Sequence, residues 1–173
     1  MKTIKSCGEK PSTRKSIENK WIFRVERNGV FRSRLVACGH IQVLGIDFNE
    51  SSFPAIDDVR FRILLIAKLV WNMKSTIIDI ETAFLNGKLD EEIYMDIPSG
   101  LNVDPTRKLR LQQTIYGLVK SATKFYEKLM EVIYVIGFIG SKSDPCLWKK
   151  WDSRIENILI IGIFVDDSLV IGK

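Results

Sequence analysis

One histidine and three cysteines are all the sequence holds of its commonest metal and redox ligands, and that scarcity excludes much chemistry. A nucleophile–imidazole triad would rest entirely on His40. A zinc centre has too few ligands, because Cys38-Gly39-His40 has no second ligand pair at zinc spacing. Cys7, Cys38 and Cys146 are odd in number and far apart, which predicts reduced thiols in an intracellular protein rather than a disulfide framework. No apolar run approaches the ~20 residues that span a bilayer, so no membrane partner is expected. Met1 to Cys7 has no apolar signal-peptide core, so secretion is not expected and the Asn49-Glu50-Ser51 sequon carries no meaning. Walker loops, dinucleotide fingerprints, internal repeats and low-complexity tracts are absent too.

What remains is enough for one domain or a large fragment of one. The 173 residues are 46% hydrophobic, which argues for a buried core and against disorder. The net charge of +5 is unevenly spread: residues 1–40 hold ten Lys/Arg against three Glu, so the rest is mildly acidic. A basic lobe beside an acidic body suits a polyanion gripped by one part and processed at another. A lysine-rich solubilising terminus accounts for the same charge.

Residues 1–19 are polar, with Pro11-Ser12-Thr13, and read as a loose basic leader. Trp21 to Arg27 alternates apolar and polar, and Asn28-Gly29 then predicts a type I′ hairpin turn. The return strand, Val30 to Ala37, puts Arg32 and Arg34 on one face, where they would either hold phosphates or face solvent. After a loop over 39–56, Asp57 or Asp58 caps a helix to about Trp71, whose near-continuous apolar character predicts burial against a sheet. Ser75 to Ile80 reads as a strand, with Asp79 where it gives way to a helical turn that runs from Glu81 and stops at Asn86-Gly87. Short strands follow over Ile93 to Ile97 and around Leu109 and Leu111. A second helix from Ser121 carries Phe125, Tyr126, Leu129, Met130 and Ile133 at helical spacings. Cys146 to Trp151 then leads into a final hairpin, Ile158 to Ile171. The order predicts an α+β layer of helices on a sheet.

That final hairpin carries Asp166-Asp167 at its tip. Ionised carboxylates beside so much apolar surface need a metal, a cation or water to compensate them. Two readings stay open from the stretch alone: a solvated turn that uses Asp, and a metal-binding tip. Asp79 likewise either caps a turn or reaches a ligand from the end of a strand.

Several motifs in order are more specific than any one of them. Asp79-x-x-x-Ala83-Phe84-Leu85-Asn86-Gly87, Ile115-Tyr116-Gly117-Leu118, Ser143-Asp144-Pro145-Cys146-Leu147 and Phe164-Val165-Asp166-Asp167 together resemble the reverse transcriptase of copia-type LTR retrotransposons. Lys20-Trp21-Ile22-Phe23 and Arg34-Leu35-Val36-Ala37 match its opening segment, so the resemblance covers roughly residues 18–173. It implies a right-hand polymerase fold without its thumb: fingers over 20–56, and mostly palm over 57–173 with an antiparallel sheet and helices on one face. It implies an RNA-directed DNA polymerase fragment of a polyprotein, whose partners are an RNA or DNA template with primer, dNTPs, and the thumb and ribonuclease H regions. Two Mg²⁺ ions, or Mn²⁺, would serve nucleotidyl transfer from dNTP to a primer 3′-hydroxyl. By motif, Asp79, Asp166 and Asp167 are the catalytic and metal-binding carboxylates, and the Ile80 carbonyl completes a metal shell. Phe84 matches the residue that excludes a 2′-hydroxyl, and Gly117 lets the backbone pass close to the nucleotide. Arg32 and Arg34 match the triphosphate-holding ribbon, and Phe164 lies near the primer end. A cytoplasmic virus-like particle or the nucleus is the location implied.

The chain departs from the family at several positions. Phe164 replaces a tyrosine, Val119 and Thr123 replace basic residues, and Cys38 replaces a lysine, although Lys120 and Lys124 keep positive charge nearby. The chain stops six residues after Asp167, before any thumb, so weak or undetectable polymerase activity is expected of it. The alternative is an inactive remnant that at most binds nucleic acid through its basic N-terminal lobe. A small-molecule nucleotidyl enzyme fits less well, lacking the 84–87 and 115–118 motifs.

Overall fold

A computed structural model describes residues 4–6, 15–45, 48, 54–104, 106–153 and 157–173. Pro11-Ser12-Thr13 and Asn49-Glu50-Ser51 lie outside them. In chain order the elements are β1 (Ile4–Ser6), β2 (Ser16–Ile17), β3 (Asn19–Val25), β4 (Phe31–Ala37), α1 (Asp58–Val70) and β5 (Lys74–Asp79). They continue with β6 (Tyr94–Asp96), β7 (Lys108–Leu111), α2 (Ser121–Val135), β8 (Ile139–Gly140), β9 (Leu147–Asp152), β10 (Asn157–Phe164) and β11 (Asp167–Gly172). Among the described residues this is a mixed α+β fold with two α-helices and mainly antiparallel sheets.

The chain divides into two units, one of residues 1–52 with 84–125 and the other of 53–83 with 126–173. The division is interleaved. Residues 84–125 group with the N-terminal segment, where a single break near residue 56 was expected.

In the first unit, β1-β7-β6-β2 form a sheet in which the β2–β6 pair is parallel. The expected loose leader is thus corrected in part: Ile4–Ser6 pairs with β7, and Ile17 is buried beside Met95, Leu109 and Leu111. The ribbon β3–β4 forms as alternation predicts, with Ile22 and Arg24 opposite Arg34 and Arg32. Its turn is not type I′. Gly29 N–H donates to Glu26 C=O (2.9 Å) and Glu26 N–H to Val30 C=O (2.9 Å), and only Gly29 is left-handed (φ +80°). That is a three-residue loop with a glycine bulge. The Asn28 side chain accepts from Val30 N–H (3.1 Å), a local bond available to it without positive φ.

In the second unit, β5-β11-β10-β9-β8 form an antiparallel sheet. Ile163 and Ile171 are almost wholly buried there, each stabilising the fold by roughly 1.5–3 kcal/mol. Asp57 caps α1, its carboxylate accepting from Arg60 N–H (2.8 Å). The helix seats Leu64 over Gly162, where an added Cβ would come within 2.8 Å of the leucine. Full burial of α1 is corrected by its outer stripe: Val59, Ile63, Ile66 and Val70, spaced along one side, are each more than half exposed. Near-continuous apolarity gives a helix two apolar sides, and only one of them packs within this unit.

Asp144 is the buried carboxylate of the unit. It accepts from Cys146 N–H (2.7 Å) and pairs with Arg60 (3.1 Å). The Cys146 carbonyl in turn accepts from Ile163 N–H (2.9 Å), which ties this turn to β10. Burial, with Asp144 beside it, pushes the Cys146 thiol up to about 11. Asp144→Ala leaves the Cys146 N–H without its acceptor and removes one of the two carboxylates paired with Arg60, the other being Asp57, and should cost roughly 1–2 kcal/mol in urea unfolding. An unchanged midpoint would contradict this. Among the described residues no helix is long and apolar enough to cross a membrane.

Candidate active site

The apolar run from Ile158 forms β10, and Asp167 opens β11, leaving Val165 and Asp166 as a two-residue loop. Phe164 and Asp167 are the closing cross-strand pair. Val165 adopts φ +56°, a left-handed conformation that a β-branched residue rarely takes and that costs about 1–3 kcal/mol. Val165→Gly should raise the thermal midpoint, through a net stabilisation on the order of 1 kcal/mol after glycine's extra chain entropy. A fall would show that the loop stores no strain.

β5 lies against β11 so that Asp79 is the direct cross-strand partner of Asp167. Paired residues of an antiparallel sheet share a face, so Phe164, Asp167 and Asp79 form one row across three strands. Asp166 sits next to that row, and its carbonyl accepts from Ile80 N–H (3.3 Å). The end of β5 is thereby stitched to the hairpin loop. Asp79 is thus brought to the same sheet end as Asp166 and Asp167, from which it is remote in sequence.

Asp79 and Asp167 are exposed and Asp166 is half-buried. None of their carboxylates makes an ion pair or a side-chain hydrogen bond among the described residues. Two like charges directly opposite each other destabilise a strand pair unless a cation lies between them. Oxygen-only donors of this kind suit a hard divalent cation that keeps several waters. Among the described residues no group of three or more His, Cys, Asp or Glu side chains is placed to hold a metal ion. The Ile80 carbonyl already accepts from Ala83 N–H (3.2 Å), leaving one lone pair for a ligand.

The remaining sequence-derived residues fall in the first unit. Arg32 and Arg34 lie on one face of the ribbon but differ in state: Arg32 is paired with Glu26 (2.6 Å), whereas Arg34 lies over the Tyr116 ring, 5.3 Å from its centroid. Phe84 meets the same ring edge-on, 5.2 Å between centroids, and its carbonyl accepts from the buried Thr114 hydroxyl. Gly117 is left-handed (φ +89°) and packed against the Ala37 backbone, a structural need for glycine in its own right. Lys120 and Lys124 do not supply open positive charge, because they pair with Glu91 and Asp90. Sequence reasoning missed Tyr116 and Thr114. Tyr116 stood inside a quoted motif, but nothing local marks a ring as the neighbour of an arginine about eighty residues earlier in the chain.

A family model described as reverse transcriptase (RNA-dependent DNA polymerase) matches residues 3–173. The chain is 31% identical over 172 residues to the retrovirus-related Pol polyprotein from transposon TNT 1-94 of Nicotiana tabacum, covering 95% of the chain and 13% of that polyprotein. It is 33% identical over 162 residues to the Pol polyprotein from transposon RE2 of Arabidopsis thaliana, covering 89% of the chain and 11% of the relative. It is 28% identical over 158 residues to the transposon Ty1-MR1 Gag-Pol polyprotein of Saccharomyces cerevisiae, covering 91% of the chain and 9% of the relative. The chain thus spans only 9–13% of the length of these relatives. With the motif resemblance borne out along nearly its whole length, the chain belongs to the reverse transcriptase (RNA-dependent DNA polymerase) family of retrotransposon Pol polyproteins.

Proposed function

We propose that the chain is the fingers and palm of an RNA-directed DNA polymerase that adds dNTPs to a primer paired with an RNA or DNA template. The observation that carries this reading is the pairing of Asp79 with Asp167 at the sheet end, with Asp166 in the adjoining loop. The second unit serves as palm and the first as fingers.

Asp79, Asp166 and Asp167 would hold Mg²⁺ or Mn²⁺. Two such ions, when bound, acidify the primer 3′-hydroxyl and neutralise charge on the attacking and leaving oxygens. The residues of the chain provide placement. The Ile80–Asp166 backbone bond fixes β5 against the hairpin, so the carboxylates keep their spacing without rearrangement. Phe164, half exposed in the same row, offers a flat apolar surface to the primer end. In the first unit, Arg34 supplies positive charge for the triphosphate and Phe84 a ring against the sugar.

Incubated with a primed RNA template, dNTP and Mn²⁺, the chain should extend the primer slowly, and chelation should stop extension until metal is restored. Extension that survives chelation, or no extension at saturating chain and template, would contradict the reading. A second reading, a remnant that only binds nucleic acid, is favoured by the neutralised Lys120 and Lys124. It predicts salt-dependent RNA binding without extension.

A further inference from the structure

We propose that Tyr116 is a positioning residue that sets Arg34 and Phe84 together for the incoming nucleotide. The inference rests on the polymerase reading above and concerns residues of the first unit alone.

The two ribbon arginines are held in chemically different ways. Arg32 donates to the Glu26 carboxylate, so its charge is neutralised and part of its donor fork is used. Arg34 instead lies over the Tyr116 ring, and no ion pair engages it among the described residues. A ring face attracts a guanidinium through its quadrupole and consumes none of its N–H donors. Arg34 is therefore oriented yet keeps its full charge and its fork for an anion. A planar fork of this kind binds phosphate oxygens two at a time.

The same ring touches Phe84, in a perpendicular contact of 5.2 Å. Phe84 is also braced edge-on by Phe125 at 6.3 Å, and its carbonyl by Thr114. Tyr116 is itself fixed through the backbone: its carbonyl accepts from Ala37 N–H (2.8 Å), at the end of the strand that carries Arg34. Next to it, Gly117 and Gly39 let the two chain segments approach so closely that either glycine would clash if it gained a Cβ. The ring thus stands between an arginine suited to phosphate and an aromatic suited to a sugar face, on a backbone that cannot drift. Removing it should disturb affinity and sugar discrimination together, which loss of either neighbour alone would not do.

The test titrates the full chain with dATP and with ATP in Mg²⁺ by calorimetry. Tyr116→Met, which fills the volume without a ring, should weaken dATP binding about ten-fold, at the upper range of a ring–cation contact. It should also narrow the dATP-to-ATP ratio, while Tyr116→Phe stays within about two-fold on both counts because the ring face is kept. In an Arg34→Gln background, Tyr116→Met should add little further loss of dATP affinity, because neighbours acting as a unit are non-additive. Full additivity, or wild-type affinities in Tyr116→Met, would overturn the inference while leaving the polymerase reading intact. Absence of dATP binding by the unmodified chain would overturn both. Should Tyr116→Met fail to fold, the Arg34 Nε–H resonance of the unmodified chain decides. A ring-current shift that changes on dATP addition supports the inference, and a random-coil position overturns it.

Discussion

Asp79→Asn and Asp167→Asn should each lower metal-dependent primer extension by roughly three orders of magnitude, the several kcal/mol that bound divalent ions supply to the reacting oxygens. The sheet register makes the two residues direct cross-strand partners. Asparagine keeps the volume and one carbonyl oxygen at either position but removes the charge that a hard cation requires. The same substitutions should leave the fold slightly more stable, by less than about 1 kcal/mol, because they relieve two like charges placed opposite each other. A large loss of activity with a small gain in thermal midpoint separates a functional carboxylate from a structural one. A structural aspartate would lose both. Single-nucleotide extension rates and thermal unfolding of the same preparations provide the comparison.

Gly117→Ala carries the largest expected effect on stability. Gly117 adopts φ +89°, and a Cβ built there would overlap the Ala37 carbonyl oxygen and come within 2.7 Å of the Val36 side chain. Left-handed backbone costs a non-glycine residue about 1 kcal/mol, and forced overlap in a packed site adds roughly 1–3 kcal/mol. The sum should shift the urea midpoint by the equivalent of about 3 kcal/mol. Gly100 is the control, since it shares φ +89° but has nothing within 4 Å of an added Cβ. Gly100→Ala should therefore cost only the backbone share, about 1 kcal/mol. Equal losses at the two positions would show that the close approach of the 115–118 turn to β4 does not matter.

Much of the second unit was legible because its signals are local. The Asp57 cap and the alternating and apolar runs of β5, β10 and β11 need nothing beyond neighbouring residues, and neither does the stop at Asn86-Gly87 in the first unit. The meeting of Asp79 with Asp166 and Asp167 was reached through the motif resemblance, because no periodicity says which strands pair. What was misread depended on distant partners. Residues 4–6 and 16–17 look like leader on composition and become strands only because β7 and β6 offer edges to them. Lys120 and Lys124 look like open charge until Glu91 and Asp90 fold beside them. The Asn28-Gly29 dipeptide fits two hairpin loops, and the side chain of Asn28 helps to decide between them. The ring of Tyr116 gains meaning only through Arg34 and Phe84.

Iron-directed cleavage tests the central arrangement most directly. With primed template, dNTP, ascorbate and hydrogen peroxide present, Fe²⁺ in place of Mg²⁺ reduces peroxide to hydroxide and a hydroxyl radical, ascorbate returns Fe³⁺ to Fe²⁺, and the radical cuts the backbone within a few ångströms of the ion. Convergence of the carboxylates predicts two cut clusters, one around Asp79 and one around Asp166 and Asp167, both abolished by excess Mg²⁺ and by Asp79→Asn. Cleavage at only one of these segments, or elsewhere in the chain alone, would contradict it.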